Sequence, residues 1–492
     1  MYSFLICVGA LVLGFIFYGR FVERIFKPDD RLAPALELND GIDYIPMPAW
    51  KIYMIQFLNI AGTGPIFGAI MGAKFGPASY LWIVLGCIFA GAVHDYLAGM
   101  MSMRGKGLSL PDIIGHSLGT NAKKVALFFT LILLLMTGAV FVYSPAMILG
   151  DLTGGTTTST MVWVFAVLLY YIIATLLPID KIIGKIYPLF AFALIFMAIS
   201  LGICLVARWP SIPEIWDGVS NLGEAKGLPG MAGQPILPCL FITIACGAIS
   251  GFHATQSPMM ARCMQHEKLG RPIFYGAMIT EGIIALIWAA ASSYFFFDGG
   301  AAEVGADLTA AAPEVVTSVS RSWLGAVGGV LAILGVVAAP ISTGDTALRS
   351  ARLMVADALK FPQKKISARL LVSIPIFIIT GLILWFNIAD ENGFNTIWRY
   401  FGWANQSLAC FTLWAITAWL ANRRKHPAYL VTLVPACFMT AISLTYISTA
   451  KIGFNMPFAW APYIALSVFA ISAILFLLWL SSHDSKSENQ NK

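Results

Sequence analysis

Apolar stretches separated by short polar segments run through the chain, and they limit what it can fold into. A helix needs about 20 consecutive apolar residues to cross the hydrocarbon core of a bilayer, and these stretches have that length. Only 11% of the residues are charged, whereas a soluble domain carries about 25%. A membrane β-barrel would instead show alternating segments of about ten residues. The sequence therefore predicts an all-α polytopic membrane protein.

Thirteen membrane-spanning helices follow from the positions of these stretches. We place them at 2–20, 51–74, 77–102, 123–149, 160–178, 186–207, 235–260, 271–297, 323–347, 368–388, 396–420, 428–448 and 459–481.

The distribution of basic residues predicts the orientation of these spans. With the N-terminus outside, 25 of the 31 Lys and Arg residues fall on the inside. The other six are Lys74, Arg208, Lys226, Arg321, Arg399 and Lys451. Because inside loops of membrane proteins carry an excess of Lys and Arg, we expect a cytoplasmic C-terminus. The first span, with no basic residue ahead of it, is expected to be retained rather than cleaved as a signal peptide.

The second span, "FLNIAGTGPIFGAIMG", contains a break at its centre. Gly62, Gly64 and Pro65 are poor helix formers, and unpaired backbone groups are costly in lipid. Such a break persists where protein, water or a ligand satisfies the freed groups. Discontinuous helices of this kind form the substrate and ion sites of secondary transporters, although a simple kink is the alternative.

The seventh span contains a second break, in "ACGAISGFHATQSPMMAR", with Gly247, Gly251 and Pro258. Two broken spans that lie five spans apart enter the membrane from opposite sides, which is typical of a five-plus-five inverted repeat. We therefore predict an extra N-terminal helix, two repeats, two C-terminal helices and a disordered tail, at 1–30, 50–208, 235–421, 427–481 and 482–492.

Four motifs resemble the CstA-type carbon starvation proteins. They are the long block from "FLNIAGTGPIFGAIMG" to "LPDIIGHSLG", then "CGAISGFHATQS", "STGDTALRSAR" and "RYFGWANQSLA". The resemblance spans roughly residues 1–450. It implies an inner-membrane transporter linked to carbon starvation and to the uptake of peptides or pyruvate. It also implies kinship with the amino acid–polyamine–organocation superfamily. Longer members continue past this C-terminus, so features of their extra region are not carried over.

The two breaks indicate where a substrate would bind. Half-helix N-termini carry partial positive charge, so their amides suit a carboxylate. No mid-span position holds Lys or Arg, so we expect amides rather than a buried guanidinium to bind the anion. Polar side chains near the breaks, Gln56 and Gln406 among them, can line the pathway or bond neighbouring helices. The predicted substrate-binding residues are Asn59, Ala61, Gly62, Thr63, Gly64, Ser250, Gly251, His253, Gln256 and Asn405.

Ionisable residues inside membrane spans are candidates for ion coupling. Neighbouring helix residues point about 100° apart, so we expect one of the pair His94 and Asp95 to bond a neighbouring helix. Glu281 has no obvious partner in the sequence. Structural pairing or helix capping is the alternative for each. The predicted coupling residues are His94, Asp95, Glu281, Ser342, Thr343, Asp345 and Thr346.

The resemblance also implies a sodium site as an alternative to proton coupling. In the superfamily, hydroxyls of the corresponding helix meet carbonyls of the first broken helix. Here, Ser342 and Thr343 would face the Ala61 and Gly64 carbonyls. Some relatives place a basic group there and couple to protons instead.

The sequence thus predicts a secondary transporter that imports small carboxylate-bearing nutrients, peptides or pyruvate, with a proton or sodium gradient. A uniporter or channel for organic anions or amino acids is the alternative. No HExxH, GxSxG or GxxxxGK[ST] motif is present, so an enzyme or a nucleotide-driven pump is not expected. We expect no cofactor besides the coupling ion. The expected partners are the lipid bilayer and a small-molecule substrate, not nucleic acid, and the oligomeric state is left open.

Overall fold

The computed structural model describes residues 1–41, 43–176, 183–363, 365–390, 393–423 and 427–490, with side chains except at 183–186, 327, 395 and 483–490. Five basic residues predicted to face the inside, Lys181, Lys364, Arg424, Lys425 and Lys492, lie outside the described residues. So do the last two residues of the fifth predicted span and the final two of the chain.

Helices account for most of the described chain. In order, they are α1 Tyr2–Phe26, α2 Ala49–Ile60, α3 Gly64–Ala73, α4 Ala78–Arg104, α5 Leu110–Leu118, α6 Thr120–Leu152, α7 Thr157–Leu176, α8 Ile183–Arg208, α9 Ile236–Thr243, α10 His253–Ala261, α11 Glu267–Phe297, α12 Ala312–Ala358, α13 Ile366–Ala389, α14 Gly393–Arg423, α15 Leu430–Thr449 and α16 Ala461–Gln490.

The predicted all-α membrane architecture is confirmed. Within the described part of the chain, ten helices are long and apolar enough to cross a membrane, or eleven if the bent pair α2–α3 is one span. The remaining two predicted spans correspond to the broken pair α9–α10 and to the 31-residue α14. The number of thirteen stays a prediction. Helix α12 continues to Ala358, beyond the predicted end at 347, and α16 continues to Gln490, through the predicted disordered tail.

The two predicted repeats pack into each other rather than side by side. Half-helix α3 of the first repeat packs on α11 of the second, and α10 of the second packs on α2 and α4 of the first. Helix α12 lies along both α6 and α8. The C-terminal helices α15 and α16 pack outside this core, against α14 and against each other. The breaks therefore lie where the two repeats meet.

The first break is short and sharp. Helices α2 and α3 are bent by 47° across Ala61–Thr63. Gly64 and Pro65 begin the second half-helix, where Pro needs no amide partner and its ring fits the helical φ. The Gly62 amide donates to the Ile60 carbonyl at 2.9 Å, and the Thr343 hydroxyl of α12 lies 3.1 Å from the Leu58 carbonyl. Part of the freed backbone is thus satisfied by a neighbouring helix.

The second break is longer, and one side chain holds it in place. The irregular segment covers 244–252, and Pro258 lies inside the regular helix α10, so Pro258 does not contribute to the break as the sequence suggested. Asn405 of α14 accepts hydrogen bonds from the Ser250 hydroxyl (3.0 Å) and the Phe252 amide (2.8 Å) through Oδ1. Its backbone carbonyl accepts from the Gly251 amide at 3.2 Å.

Two glycines allow the close approaches at these breaks. A Cβ on Gly64 would lie 2.4 Å from the Cys246 sulfur, so α3 meets the second break without space for a side chain. A Cβ on Gly251 would lie 2.3 Å from the Ala409 nitrogen and 2.5 Å from the Asn405 carbonyl oxygen. Because both of these atoms are backbone, neither can rotate away.

We predict that Gly251→Ala destabilises the protein by at least ~1–3 kcal/mol, since overpacking against backbone forces α14 and the second break apart. Gly381→Ala in α13 is the matched control, because a Cβ there meets open space. It should be neutral or stabilising by up to ~1 kcal/mol through helix propensity. Thermal unfolding in detergent measures both. Equal unfolding temperatures for the two variants would contradict the packing described for Gly251.

Candidate functional site

Three polar side chains surround the first break without a partner. Gln56, Asn59 and Thr63 are fully buried, and their side-chain polar atoms make no hydrogen bond within the described residues. Burying an amide or hydroxyl without a partner costs ~1–3 kcal/mol each by mutational measures. Buried polar groups without partners at and just before the first break are suited to a polar ligand that completes their hydrogen bonds. Asn59 and Thr63 were predicted from the sequence, and Gln56 was noted as a polar group nearby.

The second break offers fewer free groups than the sequence suggested. The Gly251 and Phe252 amides already donate to Asn405, so in this conformation they do not present N–H groups to a carboxylate. Ser250 also donates to Asn405. Gln256 donates to Thr255 Oγ1 at 2.7 Å, while its Oε1 has no partner within the described residues. The amide-based carboxylate site is therefore better supported at the first break.

Four ionisable side chains from three helices meet beside the second break. Asp95 of α4 accepts from His94 Nδ1 and from His253 Nδ1, each at 2.8 Å. His253 Nε2 lies 3.4 Å from Glu281 Oε2 of α11. All four residues are fully buried. Asp95 is thus the member of the His94–Asp95 pair that bonds a neighbouring helix. The partner of Glu281, which could not be identified from the sequence, is His253.

The hydrogen bonds of this cluster constrain where a proton can reside. His253 Nδ1 faces a carboxylate acceptor, so it carries the hydrogen, and Nε2 of a neutral ring is then an acceptor. Nε2 faces Glu281, which at 3.4 Å is an electrostatic contact longer than a well-formed hydrogen bond. A proton placed between them can sit on His253 or on Glu281. A proton shared by these two groups would lie between α10 and α11.

The second group of predicted coupling residues lies on α12, around Asp345. Asp345 Oδ2 accepts from the Tyr187 hydroxyl at 2.5 Å, and Oδ1 has no partner within the described residues. The Ser342 hydroxyl donates to the Ala339 carbonyl of its own helix at 2.7 Å, and the Thr343 hydroxyl lies between two carbonyls, 2.9 Å from that of Ala339 and 3.1 Å from that of Leu58. Thr346 likewise lies 3.1 Å from the Ser342 carbonyl. Within the described part of the chain, no hydrogen bond or ion pair joins this group to His253.

The proposed sodium ligands are only partly brought together. Thr343 reaches the first broken helix, but its hydroxyl contacts the Leu58 carbonyl rather than that of Ala61 or Gly64. The Ser342 hydroxyl contacts the Ala339 carbonyl of its own helix. A hydroxyl that donates one hydrogen bond keeps lone pairs for a cation, so the sodium alternative stays a prediction.

Two residues near Asp345 were not assigned to the site from the sequence. Tyr187, from the "KIYPLF" stretch of α8, is fully buried and orients Asp345. Arg349 was placed in an inside loop, but α12 continues and buries it completely, one turn after Asp345. Its guanidinium donates to the Ala174 carbonyl. Arg349 lies beyond the predicted end of its span at 347, so the expectation that amides rather than a mid-span guanidinium bind the anion stays a prediction. A Tyr followed by Pro in an apolar span is too common a pattern to have identified Tyr187.

A large cavity lies on the side predicted to face outside. It measures about 1210 Å³ and extends to Tyr143 and Phe394. Phe394 stacks on Trp398 with ring centroids 5.8 Å apart, and Trp398 contacts Phe67 of α3 at 6.0 Å. These aromatic contacts run from the cavity wall at Phe394 to α3. The fully buried groups of the two breaks are thus closed off from the cavity in this conformation.

Comparison with known families covers nearly the whole chain. The model of the family described as carbon starvation protein CstA matches residues 1–162, 150–324 and 299–446. An uncharacterized membrane protein of Haemophilus influenzae is 44% identical over 60% of this chain and 91% of its own length. The peptide transporter CstA of Campylobacter jejuni is 27% identical over 96% and 83%. The pyruvate/proton symporter BtsT of Escherichia coli is 26% identical over 58% and 48%.

Solved structures share the fold at low sequence identity. A manganese transporter of Eremococcus coleocola has a TM-score of 0.57 at 13% identity, covering 90% of this chain and 98% of its own. A Na⁺-coupled sialic acid symporter has a TM-score of 0.53 at 13% identity, covering 96% and 95%. These likenesses confirm the predicted transporter fold with its discontinuous helices. The chain is a multi-pass membrane transporter rather than an enzyme, and it belongs to the carbon starvation protein CstA family.

Proposed function

We propose that this protein imports small carboxylate-bearing nutrients, peptides or pyruvate, and couples their uptake to protons. The observation that carries the proposal is the buried cluster of Asp95, His253 and Glu281 beside the second break. His253 is the first residue of half-helix α10 and also the residue through which the two carboxyls are connected. A movement of α10 during transport would therefore change the environment of the proton.

The substrate in this proposal binds at the first break. Gln56, Asn59 and Thr63 supply unpartnered donors and acceptors, and the N-terminus of α3 supplies partial positive charge for a carboxylate. Among relatives, one is named a peptide transporter and another a pyruvate/proton symporter. Both substrate classes carry the carboxylate that this arrangement suits, so the geometry supports the class and leaves the choice to experiment.

The sodium-coupled alternative has one specific observation in its favour. Thr343 of α12 places its hydroxyl 3.1 Å from a carbonyl of the first broken helix. Hydroxyl and carbonyl oxygens are ligands that suit hard cations. The proton-coupled form is preferred because two carboxyls and two imidazoles are already in contact, whereas the Ala61 and Gly64 carbonyls have no described contact with Ser342 or Thr343.

Uptake into proteoliposomes tests the function. Labelled pyruvate and a labelled dipeptide are offered separately, each under an imposed proton gradient and then under a sodium gradient. We expect one of them to accumulate under the proton gradient and neither under sodium. Accumulation under sodium alone would support the Thr343 alternative. Flux that only equilibrates the substrate, whichever gradient is imposed, would indicate a uniporter or channel and would refute the coupling proposal.

Glu281→Gln should uncouple transport while preserving the shape of the cluster. A one-unit pH gradient corresponds to 1.36 kcal/mol, so one coupled proton sustains about tenfold accumulation. The variant, which lacks a titratable carboxyl, should accumulate substrate to a ratio near one, while exchange of labelled for unlabelled substrate continues. Glu303→Gln, the same chemical change in an exposed surface pair with Arg208, is the control. Unchanged accumulation by Glu281→Gln would contradict the role of the cluster. So would a loss of exchange as large as the loss of accumulation.

Asn59→Ala should weaken substrate binding without affecting coupling. A hydrogen bond to a charged group contributes ~1.5–3 kcal/mol, so we expect at least a tenfold rise in the KM of uptake. Asn422→Ala, on the exposed end of α14, should leave the KM unchanged. The concentration dependence of initial uptake rates measures both. If the two variants gave the same KM, the substrate would not bind at Asn59.

A further inference from the structure

A cavity on the side predicted to face the cytoplasm lies apart from the transport site. It measures about 1170 Å³ and is bounded by the ends of α1, α4 and α14 and the start of α15. Its walls differ in chemistry. One part is apolar and includes Phe21 and Leu430, which are each 48% exposed. In a bilayer these exposed side chains would face lipid acyl chains. The other part carries three basic residues, Lys27, Arg104 and Arg423.

An aromatic pair fixes two of these basic residues. The Phe26 and Trp419 rings stack with centroids 5.7 Å apart and an interplanar angle of 15°. The Arg104 guanidinium lies 3.9 Å from the Phe26 ring centroid, and that of Arg423 lies 4.9 Å from the Trp419 ring centroid. Two guanidinium groups are thus positioned by the same stack. Such contacts limit side-chain freedom without neutralising the charge.

The cavity keeps an excess of positive charge. Arg104 is ion-paired with Glu267 at 3.0 Å, and it also donates to the Lys27 carbonyl at 2.8 Å. No ion pair within the described residues joins Lys27 or Arg423 to a carboxylate. Two net positive charges therefore border a cavity whose other wall is apolar. A solute anion would gain nothing from that apolar wall, whereas a lipid has a head group for the basic part and acyl chains for the rest.

We propose that this cavity binds the head group of an anionic phospholipid, with the acyl chains along Phe21, Ile25, Leu430 and Val431. Basic pockets between membrane helices on the cytoplasmic side suit anionic head groups, and each Lys or Arg near the surface adds a favourable electrostatic contribution. The site joins α1, which lies outside the predicted repeats, to the end of α14, which holds the second break. It is distinct from the proposed substrate site and does not depend on it.

Native mass spectrometry of the full-length protein tests this proposal. The detergent-solubilised protein is titrated with phosphatidylglycerol and, separately, with phosphatidylcholine of the same chain length. We expect the anionic lipid to be retained in preference. Removing one charge should weaken its binding about fivefold, so Lys27→Gln with Arg423→Gln should weaken it about 30-fold. Equal retention of the two lipids by the unmodified protein would overturn the proposal, and that measurement needs no variant.

Two variants separate the cavity from general surface charge. Lys360→Gln removes an exposed basic residue on the same predicted side, outside the cavity, and should leave lipid retention unchanged. Arg423→Lys keeps the charge and should retain most of the binding even if the double variant does not fold. The site would be refuted if Lys360→Gln lost as much phosphatidylglycerol binding as the double variant Lys27→Gln with Arg423→Gln. It would also be refuted if a folded Arg423→Lys variant lost this binding completely.

Discussion

The structure depends on how backbone polar groups are satisfied where two helices are interrupted inside the apolar core. In lipid an unpaired amide or carbonyl costs several kcal/mol, so a break requires partners supplied by the protein. At the second break Asn405 supplies them. Its side-chain Oδ1 accepts from the Ser250 hydroxyl and the Phe252 amide, and its backbone carbonyl accepts from the Gly251 amide. Helix α14 is therefore the support of the broken span. The absence of side chains at Gly64 and Gly251 lets these segments approach closely enough for that support.

The same geometry provides partners for ionisable groups beside the second break, where burying an unpaired charge would cost too much free energy. Asp95 is buried from every side, but two imidazole nitrogens at 2.8 Å take the place of water. His253 is part of the second broken span, so the charge cluster and the break form one unit. A change in the position of α10 would alter the contacts of Asp95 and Glu281. This mechanical link gives proton coupling a physical basis in the proposed function.

The Asp345 group is organised differently. Its carboxylate is held by Tyr187 from α8, and the neighbouring hydroxyls bond the carbonyls of their own helix. Arg349, one turn further along α12, is fully buried and bonded to the Ala174 carbonyl of α7. These bonds connect α12 to the first repeat, on which it packs along α6 and α8. The group therefore ties helices together, and the coupling role suggested for Asp345 stays a prediction.

The sequence by itself determined the membrane class, the approximate positions of the apolar helices and the existence of both breaks. These features follow from local chemistry: apolar length sets a span, and Gly and Pro interrupt it. It could not identify which side chains would meet. Asp95 lies on α4 in the first predicted repeat, whereas His253 and Glu281 lie on α10 and α11 in the second, and it is the packing of α10 on α4 that brings Asp95 to them. For the same reason the sequence suggested Asn405 as a substrate-binding residue and placed Arg349 in a loop on the inside. The tertiary structure alone decided that Asn405 supports the second break and that Arg349 is buried, because hydrogen-bond partners depend on packing rather than on sequence spacing.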